Sequence, residues 1–138
     1  MAGNAPGATP VYPSTPGLAT PGGHYSHAVV ANGFVFVSGE LPITEAGEKL
    51  TDAPFEAQAA QVLQNLERAL VAAGSGIAQL AQVRVYLDDI GNWPAFNEIY
   101  AKWAGSARPA RAIVPTGLLH FGFKIEIEAT AVLRAIAP

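Results

Sequence analysis

The sequence predicts an α+β fold, a sheet of about six strands with two helices packed on one face. Three observations carry this. Residues 123–133 alternate strictly, with Phe123, Ile125, Ile127, Ala129, Ala131 and Leu133 on one face and Lys124, Glu126, Glu128, Thr130 and Val132 on the other, the pattern of a half-buried strand. Asn32-Gly33 separates two strand-like runs and accepts the positive φ that both centres of a type I′ hairpin turn need. Two stretches of helical period then flank a single strand, giving the order β-β-α-β-α-β-β.

In chain order, residues 1–24 carry five of the eleven prolines and five glycines, with no charged side chain. Such a segment cannot form a helix. Residues 1–21 are expected to be a flexible N-terminal segment, with a tail over about the first nine and a short edge strand at Val11 and Tyr12. Residues 22–138 form a single domain. Its first strands run from Tyr25 to Val30 and from Phe34 to Ser38. Gly39 follows, where a bulge and a close backbone approach by a ligand are both open readings.

Asp52 and Pro54 suit a helix start, and Val62, Leu63, Leu66, Ala69, Leu70 and Ala73 recur at helical spacing up to Gly74. Asn65 falls among them, either bonding inward or facing water. Val83, Val85 and Leu87 alternate with Arg84, Tyr86 and Asp88 as a third strand. Asn92 and Pro94 open a second helix whose Phe96, Ile99, Tyr100 and Trp103 form an apolar stripe closed by Gly105. That stripe reads as core, with a stacking platform for bases as the competing role. Pro109 suits the entrance of a strand over Ala110–Val114, because it cannot donate to a ladder.

Composition narrows the function classes. Charged residues make up 14% of the chain, against about 25% in a typical soluble domain, so some surface is expected to be covered by partner subunits. The net charge is −3 and the eight Lys and Arg are scattered singly, which weighs against nucleic-acid binding. There is no cysteine, and His24, His27 and His120 lack metal-ligand spacing, so neither a thiolate site nor a bound metal is expected. No apolar run reaches the 18 or so residues of a membrane span. The N-terminus lacks a basic n-region and an apolar h-region, so the expected compartment is the cytoplasm.

The chemistry-bearing residues concentrate between Arg108 and Val132. A guanidinium at Arg111 and carboxylates at Glu126 and Glu128 are costly to bury unless paired or in use. Spacing leaves two readings open. Arg111 forms a cross-strand ion pair with Glu126 or Glu128 on a solvated sheet face, or these groups serve a reaction.

Separated blocks of the chain resemble one family in order and spacing. They are Tyr25, Phe36-Val37-Ser38-Gly39 with Pro42, Gln64-Asn65-Leu66, Ala72-Ala73-Gly74, Val83-Arg84-Val85-Tyr86-Leu87, Phe96-Asn97-Glu98-Ile99-Tyr100, Arg108-Pro109-Ala110-Arg111 and Ile125-Glu126-Ile127-Glu128-Ala129. The family is the RidA/YjgF enamine/imine deaminases, and the resemblance covers about residues 22–134. It implies a chorismate-mutase-like fold and a homotrimer, its three sheets forming a central barrel with pockets at subunit interfaces. It also implies hydrolysis of a 2-aminoacrylate-like or other 2-imino acid to a 2-keto acid and ammonia, with no cofactor. On this resemblance Arg111 grips the substrate carboxylate, Glu126 positions the attacking water and Tyr25 stands at the pocket. Ser38 and Gly39 form a wall, Asn97 supports, and Glu128 is a weaker catalyst.

Three departures accompany the match. Ile113 stands where many members have cysteine, which favours bulkier or less polar substrates. Leu119-His120-Phe121-Gly122-Phe123 replaces a short loop, and His120 is either a polar pocket group or a solvent histidine. Glu40 stands where glutamine is common. A non-catalytic, ligand-binding or chaperone-like trimer is the alternative the resemblance allows, and an RNA-cleaving activity is a further one that the scattered cations oppose.

Overall fold

The computed structural model describes residues 9–135. Five strands form one sheet in the order β1-β2-β5-β3-β4: β1 (Ala28–Ala31), β2 (Phe34–Glu40), β3 (Leu80–Leu87), β4 (Ala110–Pro115) and β5 (Ile125–Val132). Helices α1 (Phe55–Ala72) and α2 (Trp93–Ala104) cover one face. All pairings are antiparallel except β3 with β4. A parallel pair needs a crossover connection, and α2 supplies it.

The hairpin turn forms as its residues require, with φ of 53° at Asn32 and 81° at Gly33. The first strand starts later than expected, at Ala28 rather than Tyr25, which leaves Tyr25 outside the ladder. Among the described residues the sheet has five strands, against the about six expected. Val11 makes a single antiparallel bridge to Val30, too little for an edge strand. The tail expected over the first residues lies mostly outside the described range. Within the segment expected to be flexible, two carbonyls are bonded to the domain: that of Gly17 accepts from Arg68 at 3.0 Å and that of Ala19 from His27 at 2.7 Å.

The core lies between the sheet and the helices. Val35 and Val37 of β2, Val83, Val85 and Leu87 of β3, and Ile125, Ile127 and Ala129 of β5 meet Val62, Leu63, Leu66 and Leu70 of α1 and Phe96 of α2. Phe96 and Tyr100 are buried there, with Trp103 packed alongside, so these three aromatics serve the core rather than a base-stacking platform. Two polar α1 residues also point inward. Gln58 donates to the Thr51 and Ala53 carbonyls and accepts from the Lys124 amide at 2.9 Å. Asn65 donates to the Leu41 and Ile43 carbonyls, both at 2.9 Å, and is buried rather than solvent-facing. The loop leaving β2 is therefore held from the helix. Asn65→Ala is expected to cost about 2 kcal/mol, because both carbonyls lose their donor, and a thermal melt checks it.

Candidate functional site

Arg111 and Glu126 lie on different faces of the sheet. Arg111 pairs with Val83 and Ile113 with Val85, and both valines are fully buried under the helices. Paired residues share a face, so Arg111 and Ile113 look toward α2. There Arg111 donates to Asn97 Oδ1 at 3.0 Å, and its guanidinium lies 5.0 Å from the centre of the Tyr100 ring. Ile113 is half-buried against the core. Glu126 pairs with Tyr86, whose hydroxyl donates to Glu128 Oε1 on the uncovered face. Strand β3 stands between β4 and β5. The cross-strand ion pair of Arg111 with Glu126 or Glu128 is thus excluded within one chain. Arg111 is instead displayed, exposed, on an edge strand.

Glu126 has different company. The ladder between β2 and β5 shifts register between Val37 and Glu40, so Gly39 sits in a bulge. A Cβ built on Gly39 would overlap Glu126 Oε2. Both readings of this glycine hold in part: it is a bulge, and it permits a close approach, but the approaching group is the carboxylate of Glu126. Burial pushes the Glu126 carboxyl above its usual value. The His120 imidazole opposes that shift, while Glu128 and Glu40 add to it. A carboxyl so placed is suited to exchanging a proton with water nearer neutrality than a free glutamate.

A cavity of about 430 Å³ opens beside this group. Tyr25, Gly39 and His120 line it, together with Leu18, Leu41 and Phe121. His120 is therefore a cavity residue. The neighbouring Phe121 is held at φ 56°, its carbonyl accepting from Thr51 Oγ1 at 3.0 Å and its ring facing Lys49 Nζ at 4.8 Å. Ser38 donates its hydroxyl to the Ser26 carbonyl at 2.6 Å, which fixes the approach to Tyr25 rather than leaving the hydroxyl open to a ligand.

Two functional candidates escaped the sequence reading, His27 and Glu40. Both are buried, and His27 Nδ1 lies 2.9 Å from Glu40 Oε2. The signal was present in the unusual Glu40, but its partner lies thirteen residues earlier across the hairpin. Among the described residues, no three His, Cys, Asp or Glu side chains are placed to hold a metal ion, and no helix is long and apolar enough to cross a membrane.

The chain therefore carries two partial sites. One comprises Tyr25, Gly39, His120 and Glu126 beside the cavity. The other comprises Arg111 with Asn97 and Ile113 at the β4 edge.

Comparison with known proteins gives consistent matches. The family described as Endoribonuclease L-PSP matches residues 17–133. Protein HMF1 of Saccharomyces cerevisiae is 36% identical over 110 residues, covering 80% of this chain and 84% of its own length. Reactive Intermediate Deaminase A, chloroplastic, of Arabidopsis thaliana is 36% identical over 111 residues, covering 80% of this chain and 59% of that protein. The crystal structure of yeast Mmf1 superposes with a TM-score of 0.87 at 32% identity, over 91% of this chain and 100% of that one.

Proposed function

The chain belongs to the RidA/YjgF family, the one described as Endoribonuclease L-PSP, and from that premise we propose that it is an enamine/imine deaminase. Its substrate is a 2-aminoacrylate-like or other 2-imino acid, and its products are a 2-keto acid and ammonia. The observation that carries the reading is the carboxyl of Glu126, raised by burial and seated against Gly39, which lines a cavity together with Tyr25 and His120.

The reaction asks little of the protein. An enamine tautomerises to the imine. Water adds to the imine carbon, giving one proton to Glu126, and the same carboxyl returns a proton to nitrogen. Glu126 then takes the hydroxyl proton of this carbinolamine and passes it to the amino nitrogen, the carbon–nitrogen bond breaks, and ammonia leaves with a carbonyl behind it. Positioning, one charge-assisted fork for the carboxylate and one water-orienting acid are sufficient for a hydrolysis that also proceeds unaided.

Arg111 is the group for the carboxylate, and its separation from Glu126 shapes the proposal. Two strand spacings, about 10 Å, and a change of sheet face divide them within one chain. A three-carbon acid does not bridge that. The arginine of one copy meeting the glutamate of the next would complete the site, which supports a homotrimer with three interface pockets. Ile113 and Asn97 would enter the same interface. RNA cleavage is the weaker reading, because the cavity is lined by a lone lysine and the net charge is −3.

The test is turnover of 2-imino acids generated by an amino-acid oxidase or a lyase, with the surviving imine trapped by semicarbazide. Light scattering on the same sample should give about three times 14.3 kDa. A stable monomer with no turnover would defeat the reading. The pH profile adds a second check. Glu126 must be ionised to take a proton, so activity should fall as pH drops through a value above the usual 4.5. His120→Gln removes a group that holds Glu126 down, and should move this acid limb to higher pH.

A further inference from the structure

His27 is set between two acceptors. Its Nδ1 lies 2.9 Å from Glu40 Oε2 and its Nε2 lies 2.7 Å from the Ala19 carbonyl oxygen. A carbonyl only accepts, and an ionised carboxylate only accepts. Both ring nitrogens must then carry hydrogen, or the proton sits on Glu40 and is shared with Nδ1. In either arrangement the pair holds one proton more than a neutral imidazole beside a carboxylate. Without that proton, a buried carboxylate faces a ring lone pair, or the ring turns and the Ala19 carbonyl loses its donor.

Ala19 belongs to a strap that walls the cavity. Leu18, Ala19, Thr20, Gly22 and Gly23 all line it, although they come from the segment before the first strand. The strap has two anchors of different chemistry. At its start, the Gly17 carbonyl takes a hydrogen bond from Arg68, and a guanidinium only ever donates. Leu18 packs against the core, and at the middle of the strap the only side-chain hydrogen bond among the described residues comes from His27.

We propose that His27 is a positioning residue, which as a proton-holding bridge from Glu40 to the Ala19 carbonyl keeps the Leu18–Gly23 strap closed on the cavity and releases it as pH rises. The inference stands on the cavity and the two hydrogen bonds, and does not require the deaminase reading. The hydrogen bond to Glu40 raises His27 above the usual 6.5. Burial opposes this, while the Glu40 charge and the Ala19 carbonyl reinforce it. The sign follows. A raised imidazole gives its full stabilisation below 6.5 and loses it as pH climbs through the folded value. The other titratable groups nearby are Tyr25, edge-on to His27 at 6.0 Å, Lys49 and His120 in the cavity lining, and Glu126 against Gly39.

The chain contains no cysteine, so a nitroxide on Thr20→Cys reports the strap alone. In the otherwise natural full chain, the label is expected to be immobilised at about pH 6 and at least about tenfold more mobile at about pH 9, a range spanning ordinary histidine titration. Its midpoint should coincide with that of His27 followed by nitrogen NMR. Glu40→Gln should move both midpoints to lower pH. His27→Gln combined with Glu40→Gln, an amide pair without a titrating proton, should leave mobility flat across the range. Circular dichroism on each variant checks that the fold persists. A label whose mobility is unchanged from about pH 6 to about pH 9, or that changes equally in the amide pair, would overturn the proposal whatever the enzyme assay shows.

Discussion

Arg111→Ala is expected to lower kcat/KM for 2-imino acids by at least about 100-fold, while the melting temperature falls by only a few degrees. The two halves of that expectation have separate grounds. The fork of a guanidinium on a carboxylate is worth about 3 kcal/mol in charge-assisted hydrogen bonds, and nothing near Arg111 replaces it. In the isolated chain, by contrast, Arg111 is exposed and holds only Asn97 Oδ1 and the face of Tyr100, contacts worth about 1 to 2 kcal/mol together. Arg111→Lys should fail nearly as badly, since a point charge does not reproduce a planar fork. Asn97→Ala should cost less, through a guanidinium that is present but poorly aimed. Steady-state kinetics beside a thermal melt separates these effects. An alanine variant that melts far lower with turnover per folded molecule intact would make Arg111 a structural residue.

The elements themselves were legible because each rests on local chemistry. Asn32-Gly33 dictates its turn, the alternation from Ile125 onward dictates β5, and Gly74 and Gly105 end their helices at φ 86° and 62°. The order of strands was not legible. That β3 lies between β4 and β5, parallel to one and antiparallel to the other, depends on how α2 crosses over. No periodicity records this. The same gap hid the true relation of Arg111 to Glu126, which spacing left open as an ion pair or a reacting set and topology sets on opposite faces.

Side chains that bond to distant backbone were also hidden. Asn65 and Gln58 look like surface amides on a helix until the loops at Leu41–Ile43 and Thr51–Ala53 fold back onto them. His27 looks unremarkable alone and Glu40 only out of place, and the two gain meaning when the hairpin brings them to 2.9 Å. The strap at Leu18–Gly23 has no period and many turn formers, so its sequence does not mark how it is held. It is fixed by carbonyls accepting from Arg68 and His27, which is information carried by the acceptors' backbone and not by residue type.

Gly39→Ala should lose about 100-fold in turnover, for a steric reason. The added Cβ would occupy the position of Glu126 Oε2, and the carboxylate must leave. Gly39 itself does not need to be glycine for its backbone, since its φ is not in the left-handed region. The effect is therefore steric and directed at one side chain. A reacting group displaced by about 1 Å costs on the order of 100-fold, and the raised carboxyl of Glu126 should relax toward an ordinary glutamate as it moves out toward water. The acid limb of the pH profile should shift down accordingly. Glu126→Gln measures the loss when the carboxylate is absent, and the double variant closes the cycle. If Gly39 acts through Glu126, the two losses will not add, and Gly39→Ala in the Glu126→Gln background will cost less than about threefold beyond the glutamine variant. Fully additive losses would mean that Gly39 meets the substrate directly through its own backbone.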